Sequence, residues 1–202
     1  MTDQLPPTPD GLARAAELLR DGRVVAFPTD TVYGVGVSAA LPDRLDALFA
    51  LKQRPADKRI PILVTDLAQA IGAGWDADER AQRLSERFWP GALTLVLSSP
   101  AGETQAFRAP SHPLTLDLIR RTGPILATSA NRSGEPDTLG ADEVLIAFAT
   151  QQDELDAVLD GGAVPGGVPS TVVDLSVTPA RILREGPISR EHLAEVVEVS
   201  AP

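Results

Sequence analysis

The sequence predicts an α/β fold in which helices flank a mixed β-sheet. Short runs of apolar and β-branched residues alternate with segments whose apolar residues recur every three or four positions. Strands that alternate with helices are typical of α/β sheets, and we expect some of these strands to be antiparallel. A length of 202 residues suits one domain, so residues 1–202 are predicted to form a single domain.

Six segments have the composition of β-strands. Each is short, rich in Val, Ile, Leu or Thr, and followed by polar residues, Gly or Pro. Their spacing along the chain does not give their order in the sheet. The predicted strands are Val24–Phe27, Ile60–Val64, Leu93–Leu97, Ile125–Ala127, Thr171–Leu175 and Ile182–Leu183.

Helices are predicted between these strands. The first carries apolar residues on one side, with Thr8 or Asp10 as its N-cap. The second is marked by Leu45 and Leu48, holds Lys52 in its last turn and is stopped by Pro55. The remaining predicted helices are Ala77–Arg87, Leu114–Arg121, Ala141–Phe148 and Arg190–Val197.

The composition excludes several classes of protein. There is no cysteine, which excludes disulfides, thiolate catalysis and zinc–thiolate sites. The net charge of -10 opposes non-specific binding of nucleic acid, although it leaves room for a local basic cleft. No apolar run is long enough to span a membrane, and residues 1–10 do not resemble a secretory signal. We therefore expect a cytoplasmic protein.

Polar residues directly follow the first predicted strand, in the stretch Phe27–Gly36. Thr29 and Thr31 supply hydroxyl groups, and two glycines would let a ligand approach the backbone closely. Ligands of α/β sheets bind near strand ends. The alternative is a strand followed by a tight turn, with Tyr33 as a core aromatic, and the residues alone leave both open.

A cluster of cations lies between the second helix and the next strand. Lys52, Arg54, Lys58 and Arg59 combine planar guanidinium groups with compact ammonium groups, both of which bind phosphate. No GxxxxGK[ST] motif occurs, so this is not a Walker loop. The alternative is a solvated loop whose cations are favoured by the dipole at the helix C-terminus.

Three further segments could contact an anion. Thr128–Gly134 packs hydroxyl, amide and guanidinium groups after a strand, and its alternative is a polar turn. Gly161–Thr171 contains four glycines and is either a phosphate-binding loop, a lid or a linker. Arg184 follows the last predicted strand, and the alternative to an anion-binding role is a surface ion pair. One anionic ligand bound over the sheet would unite these loops and the two before them.

In this order, the segments resemble the YrdC family of threonylcarbamoyl-AMP synthases. The resemblance runs from Phe27 to Gly186 and implies a twisted α/β sheet around a large basic cavity. It also implies a nucleotidyltransferase that makes threonylcarbamoyl-AMP and pyrophosphate from L-threonine, bicarbonate and ATP for the t6A modification of tRNA. The matching stretches are PTDTVYGVG, KQRP followed by IPILV, WPGALTLVL, FRAPSHP, ATSANRSGEPDT, STVVD and ILREG.

The resemblance assigns roles to individual residues. For the nucleotide and its phosphates it implies catalytic Lys52 and Arg54, together with Lys58, Ser129, Asn131 and Arg184. For L-threonine it implies Thr31, Arg108 and Ser170, with Arg108 aimed at the substrate carboxylate from a rigid, proline-bounded loop.

The resemblance also implies what accompanies the reaction. Mg²⁺ is expected to be bound through the ATP phosphates, without a protein metal site. Threonylcarbamoyl transferase proteins are expected downstream, and direct binding of tRNA is possible but not required. The chain departs from the family at Thr65, where some members have a histidine. It also ends soon after ILREG, as the short, single-domain members do.

Two other functions remain as alternatives. An RNA-binding module would use a basic cavity for the phosphate backbone, but the net charge and an aromatic fraction of 4% disfavour it. A carbamoyl-transfer domain of the same fold would occur with acylphosphatase and zinc-finger segments, and the sequence contains neither.

Overall fold

The computed structural model describes residues 2–53, 60–151 and 154–200, which form one mixed sheet with helices packed against it. The helices are α1 (Pro9–Arg20), α2 (Leu45–Lys52), α3 (Leu67–Gly72), α4 (Glu79–Phe88), α5 (Pro113–Thr122), α6 (Ala141–Ala147) and α7 (Arg190–Ala194). The strands are β1 (Asp3–Leu5), β2 (Val25–Phe27), β3 (Gly34–Ser38), β4 (Ile62–Leu63), β5 (Leu93–Ser98), β6 (Thr104–Arg108), β7 (Ile125–Ser129), β8 (Ala157–Leu159), β9 (Thr171–Asp174), β10 (Ala180–Arg184) and β11 (Val199–Ser200).

The strands lie in the order β1-β8-β2-β3-β7-β4-β6-β5-β9-β10-β11. The sheet contains both antiparallel pairs, such as β3 with β7 and β5 with β6, and parallel pairs, such as β4 with β6 and β5 with β9. The predicted mixed α/β sheet is therefore confirmed. Neighbours in the sheet are often distant in the sequence, so the strand order could not be read from spacing.

The strands β8, β2, β3 and β7 are covered by helices on both faces. On one face, Leu19 of α1 and Leu118 of α5 pack against Phe27 and Ile125. On the other face, side chains of α2 and α6, including Leu48, pack against the opposite residues of the same strands. Because both faces are buried, these strands have nearly continuous apolar sequences.

The other half of the sheet is covered by helices on one face. Leu93, Leu95 and Leu97 of β5 belong to a core cluster with residues of α3, α4 and α7. The residues between them, Thr94 and Val96, point to the opposite face, because side chains alternate along a strand. A cavity lies over that second face.

The sequence located most of the regular elements correctly. Thr8 is the N-cap of α1, where its side chain accepts a hydrogen bond from the Gly11 N–H at 3.2 Å. The helices predicted at residues 77–87, 114–121 and 141–148 are present with ends shifted by one or two residues. The last helix is shorter than predicted, since α7 ends at Ala194. No helix in the described ranges is long and apolar enough to cross a membrane.

Two predicted loops are strands. The glycine-containing stretch after Tyr33 forms β3, which is held between β2 and β7 by backbone hydrogen bonds. Arg108 was predicted in a proline-bounded loop, but it is the last residue of β6 and pairs with Leu63 of β4. In both places, pairing with neighbouring strands outweighs weak local strand propensity.

Candidate active site

The cavity over the open face of the sheet has a volume of about 540 Å³. Polar side chains that line it come from several predicted segments that are far apart in the sequence. Of the residues that the sequence singled out, Thr31, Arg108, Ser129, Ser170 and Arg184 line the cavity. The structure therefore brings these five residues together around one space.

Arg108 lies at the centre of a buried polar cluster. Its Nη2 donates to Asp30 Oδ1 at 2.7 Å, its Nη1 to Thr31 Oγ1 at 3.0 Å, and its Nε to the Gly91 carbonyl at 3.0 Å. Only 9% of the Arg108 side chain is exposed. Burial lowers the pKa of Arg108 and Asp30 opposes that shift, so the guanidinium keeps its charge.

Thr31 is held in place from two sides. Besides accepting from Arg108, its hydroxyl lies 3.1 Å from Thr29 Oγ1, and its N–H donates to the same Thr29 oxygen at 3.2 Å. Asp30 also accepts from the Ser111 N–H at 2.9 Å. The predicted threonine-contacting pair, Thr31 and Arg108, is thus one rigid unit built on the loop after β2 and the end of β6.

Ser170 joins two other parts of the site. Its hydroxyl lies 2.8 Å from Thr94 Oγ1 of β5 and accepts from Arg184 Nη2 at 3.3 Å. Arg184 Nε donates to the Ser170 carbonyl at 2.9 Å. A residue expected to contact threonine therefore touches a residue expected to contact the nucleotide. Burial lowers the pKa of Arg184, and Asp137 opposes that shift.

Lys52, Ser129 and Asn131 form a second buried cluster. Lys52 Nζ donates to the Ser129 carbonyl, and also to Asn131 Oδ1 at 3.3 Å. Ser129 Oγ donates to the same Asn131 oxygen at 2.6 Å, while Asn131 Nδ2 donates to the Glu135 carbonyl at 2.5 Å. The lysine in the last turn of α2 and the polar turn after β7 are thus directly connected.

The position of Lys52 disagrees with the alternative interpretation of this segment. In that alternative the cations of the segment are solvated, yet Lys52 is 3% exposed. Its ammonium group is surrounded by acceptors of the turn after β7, so it stabilises that turn as well as carrying charge. The other predicted cations of this segment, Arg54 and Lys58, lie outside the described residues.

Three residues of the site were not singled out from the sequence. Asp30 is the carboxylate partner of Arg108, and its position between Thr29 and Thr31 was the available signal. Thr94 is 2% exposed, and a polar residue between leucines of a strand could have indicated an open face. Asp174 lines the cavity at the end of β9.

Asp174 is held by its neighbours. Its Oδ1 accepts from the N–H and the hydroxyl of Ser176 at 3.0 and 2.5 Å, and its Oδ2 accepts from Arg181 Nη2 at 3.0 Å. Burial alone would raise the pKa of Asp174, but the bonds from Ser176 and Arg181 outweigh it and the pKa lies below its usual value.

Thr65, which stands where some related proteins have histidine, is engaged outside the cavity. Its hydroxyl donates to Asp66 Oδ2 at 3.1 Å, and its N–H donates to Gln69 Oε1 at 3.0 Å. Both bonds help to begin α3, of which Asp66 is the N-cap. The described residues that line the cavity do not include Thr65.

Comparison with known proteins agrees with this fold and these motifs. The profile of the Sua5, YciO and YrdC family, described as "Telomere recombination", matches residues 17–186. The chain belongs to this family. The sequence resemblance to the YrdC family is thereby confirmed over most of the chain.

Individual relatives carry the name expected from the motifs. A threonylcarbamoyl-AMP synthase of Bacillus subtilis is 41% identical over 98% of this chain and 59% of its own length. A putative threonylcarbamoyl-AMP synthase of Mycobacterium tuberculosis is 36% identical over 95% of this chain and 91% of its own length. This chain thus spans about three fifths of the first relative and most of the second.

A solved structure has the same fold. The crystal structure of Pyrococcus abyssi Sua5 complexed with L-threonine is 34% identical and superimposes with a TM-score of 0.89. The match covers 99% of this chain and 62% of the Pyrococcus chain. The twisted mixed sheet with flanking helices is therefore the fold of this family.

Proposed function

We propose that this chain is an L-threonylcarbamoyladenylate synthase, a nucleotidyltransferase acting on L-threonine, bicarbonate and ATP. The observation that carries the proposal is the single cavity lined by Thr31, Arg108, Ser129, Ser170 and Arg184. The proposal is also supported by the family membership of the chain and by the L-threonine complex of the Pyrococcus relative. We further propose that residues 1–202 act as one domain, since the Mycobacterium relative is matched over 91% of its length.

The reaction needs no nucleophile from the protein. The threonine amine attacks the carbon of bicarbonate and forms an N–C bond; a C–O bond of the bicarbonate breaks, and the amine proton leaves with that oxygen as water, which gives N-carboxy-threonine. With carbon dioxide as the reactant, the same N–C bond forms and only a proton is released. An oxygen of the new carboxylate then attacks the α-phosphorus of ATP, and the bond to the β-phosphate breaks as pyrophosphate leaves. Catalysis then consists of positioning the reactants and stabilising phosphate charge. The absence of cysteine fits such a mechanism.

Arg108 and Thr31 are proposed to hold the substrate amino acid. A guanidinium has five N–H donors, and the bonds to Asp30, Thr31 and Gly91 use three of them. The other two can donate to the threonine carboxylate. Because Asp30 and Gly91 already fix the guanidinium, little side-chain entropy is lost on binding. Ser170 is proposed to contact the same substrate.

The nucleotide phosphates are proposed to bind near Ser129, on the cluster that contains Lys52 and Asn131. Lys52 supplies fixed positive charge there, and Arg54 and Lys58 are proposed to add charge from the following segment. Arg184 is proposed to contact the nucleotide from the opposite side of the cavity. The proposed basic character of the cavity depends on all of these cations.

Mg²⁺ is proposed to enter with ATP. Among the described residues that line the cavity, Asp174 is the one carboxylate, and it already accepts from Ser176 and Arg181. The described part of the chain also holds no cluster of three acidic or histidine side chains suited to a metal. The donor set fits an ion held mainly by phosphate oxygens, where it would neutralise their charge.

The product would supply the t6A modification of tRNA. Threonylcarbamoyl-AMP is a mixed anhydride, so a transferase that accepts the threonylcarbamoyl group must act downstream. Those transferase proteins are proposed partners, and direct binding of tRNA is not required for the proposed reaction.

Release of pyrophosphate tests the proposed function. With ATP, Mg²⁺ and bicarbonate present, release should require threonine. With serine, pyrophosphate release should be at least about tenfold slower. Serine lacks the methyl group of threonine, and one such group in an apolar contact changes kcat/KM by about tenfold or more. Omission of bicarbonate and substitution of each other amino acid are the controls. Pyrophosphate release that does not depend on the amino acid would contradict the proposal.

A further inference from the structure

Helix α5 carries a threonine on the face that it buries. The buried residues of this helix are Thr115, Leu118 and Ile119, and their spacing places them on one side of it. Leu118 and Ile119 pack in the core cluster that contains Phe27. Thr115 is 0% exposed, so its hydroxyl group needs a hydrogen-bond partner within the protein.

The partner of the Thr115 hydroxyl is distant in the sequence. A threonine in a helix often donates to the carbonyl four residues earlier, as Thr122 of the same helix does to Leu118 at 3.0 Å. Thr115 Oγ1 donates instead to the carbonyl of Pro28, 87 positions away. Pro28 is buried and directly follows β2. The helix is thereby attached to the start of the loop after β2.

The residue chain just before α5 holds the same loop at a second point. The Ser111 N–H donates to Asp30 Oδ1 at 2.9 Å, and this oxygen also accepts from Arg108 Nη2 at 2.7 Å. Within the loop, Thr29 Oγ1 donates to the Val32 carbonyl at 2.6 Å, which fixes the shape of the loop but not its position. The position of the loop against Arg108 therefore depends on bonds from outside it, and two of these come from Ser111 and α5.

The position of the loop decides the geometry of the proposed threonine site. Thr31 Oγ1 accepts from Arg108 Nη1 at 3.0 Å, so a shift of the loop by about 1 Å would break this bond and misalign the guanidinium. We infer that Thr115 is a positioning residue, which holds the loop against Arg108 through the Pro28 carbonyl. The described residues that line the cavity do not include Thr115, so it acts without touching the substrate. This inference rests on the proposed binding of threonine by Thr31 and Arg108.

Calorimetry with L-threonine and with ATP tests the inference. Thr115→Val keeps the shape of the side chain and removes the donor, so the dissociation constant of L-threonine should rise about fivefold, the equivalent of one ordinary hydrogen bond. The dissociation constant of ATP should stay within about twofold of wild type, because its phosphates are proposed to bind near Ser129. Thr115→Ser keeps the hydroxyl group and should bind L-threonine within about twofold of wild type. Thr115→Ala also removes the donor but favours the helix, and it replaces Thr115→Val if that variant does not fold.

Thr122→Val is the matched control. It removes a hydroxyl donor from the same helix, where Thr122 Oγ1 bonds to the carbonyls of Leu118 and Gly123 at 3.0 and 2.9 Å. The melting temperature should fall in this variant, as in Thr115→Val, because both lose hydrogen bonds. Both dissociation constants of Thr122→Val should nevertheless stay within about twofold of wild type.

Hydrogen exchange gives a measurement that needs no ligand. The Ser111 N–H is bonded to Asp30 in the wild type, and it should exchange at least about tenfold faster in Thr115→Val, because the loop that carries Asp30 opens more often. The N–H groups that bond β3 to β7 should exchange at the wild-type rate. If the wild-type protein does not bind L-threonine, the proposed function fails, whereas this exchange still decides the inference.

Several results would overturn the inference. Unchanged L-threonine affinity in Thr115→Val, together with a lower melting temperature, would make Thr115 a structural residue only. Equal weakening of ATP and L-threonine, or the same loss of L-threonine affinity in Thr122→Val, would indicate a general disturbance of α5. Weak L-threonine binding by Thr115→Ser would assign the effect to packing of the side-chain methyl group. An unchanged exchange rate at Ser111 would mean that the loop does not depend on the bond from Thr115.

Discussion

The two halves of the sheet differ in how many faces the helices cover. From β8 to β7, α1 and α5 cover one face while α2 and α6 cover the other. From β6 to β10, helices cover one face and the cavity lies over the other, with its edge reaching β4, β7 and the start of β3. The first half provides stability, whereas the second half has a face free for a ligand. The proposed site therefore lies where the layered packing of the fold is incomplete.

Strand β5 shows the same division between adjacent residues. Leu93, Leu95 and Leu97 are buried in the core, and Thr94 and Val96 line the cavity. Substitutions on the core side should reduce stability, and those on the cavity side should reduce binding. The two arginines that face the cavity differ in burial. Arg108 is buried with a carboxylate partner, so its substitution should affect both stability and binding, whereas Arg184 is exposed.

Arg108→Ala should have the largest effect, because it changes both stability and binding. Removing one partner of a buried ion pair leaves Asp30 without its countercharge, at a cost of about 3–5 kcal/mol in the free energy of unfolding. Threonine affinity should also fall at least about tenfold. Urea unfolding and calorimetry measure the two effects. Arg108→Ala with Asp30→Asn should recover part of the stability without recovering threonine binding. If the single variant is as stable as wild type, the ion pair does not support the loop.

Adjacent substitutions in β5 test the division most simply. Leu95→Ala should reduce the free energy of unfolding by about 2–5 kcal/mol and leave the affinities of the folded protein unchanged. Thr94→Val should cost less stability but weaken threonine binding several-fold, because it removes the hydroxyl that contacts Ser170. Thr94→Ser should restore binding. Denaturant unfolding and calorimetry on all three variants would reveal any reversal of this pattern, which would contradict the account.

Lys52→Ala should have an intermediate effect. Its ammonium group donates to the Ser129 carbonyl and Asn131 Oδ1, and leaving buried acceptors unsatisfied costs about 1–3 kcal/mol. ATP binding should weaken as well. The variant lacks the positive charge of Lys52 near the proposed phosphate site, and the turn after β7 loses the hydrogen bonds that Lys52 donates to it. Thermal melting and calorimetry with ATP check both effects. A variant that melts with wild type would mean that the Lys52 contacts contribute no net stability.

Asp174→Asn should have the smallest effect, and that effect should depend on pH. The pKa of Asp174 is lower in the folded protein than in the unfolded chain, so its carboxylate contributes stability above the unfolded pKa of about 3.9. This contribution is lost as the pH falls through the lower, folded pKa. The wild type should therefore be the more stable protein near neutral pH, and the difference should shrink on acidification. Urea unfolding at several pH values checks this; a difference that does not change with pH would contradict it.

Local patterns in the sequence predicted the elements that depend on local interactions. Thr8 begins a helix through a bond to an N–H three residues away. The strand at Gly34–Ser38 was missed, because its two glycines suggest a turn and its stability comes from pairing with β2 and β7. A β-bulge in β10 at Leu183 was also missed, because it exists only relative to the register of β9.

The site was predictable in its residues but not in its contacts. Hydroxyl and cationic motifs identified Thr31 and Arg184 as candidates, and the family resemblance added Arg108 and Ser170. The sequence could not show that Arg108 pairs with Asp30 across 78 positions, since that contact depends on how β6 meets the loop after β2. The burial of Lys52 likewise depends on the turn after β7.

The central claim is that the cavity joins bicarbonate carbon to threonine before the adenylate forms. Mass spectrometry of the product made with isotopically labelled bicarbonate tests it most directly. The account predicts a threonine adduct of AMP that contains one labelled carbon and forms together with pyrophosphate. An unlabelled threonyl adenylate would contradict the account, because it would mean that the amino acid's own carboxylate had attacked ATP.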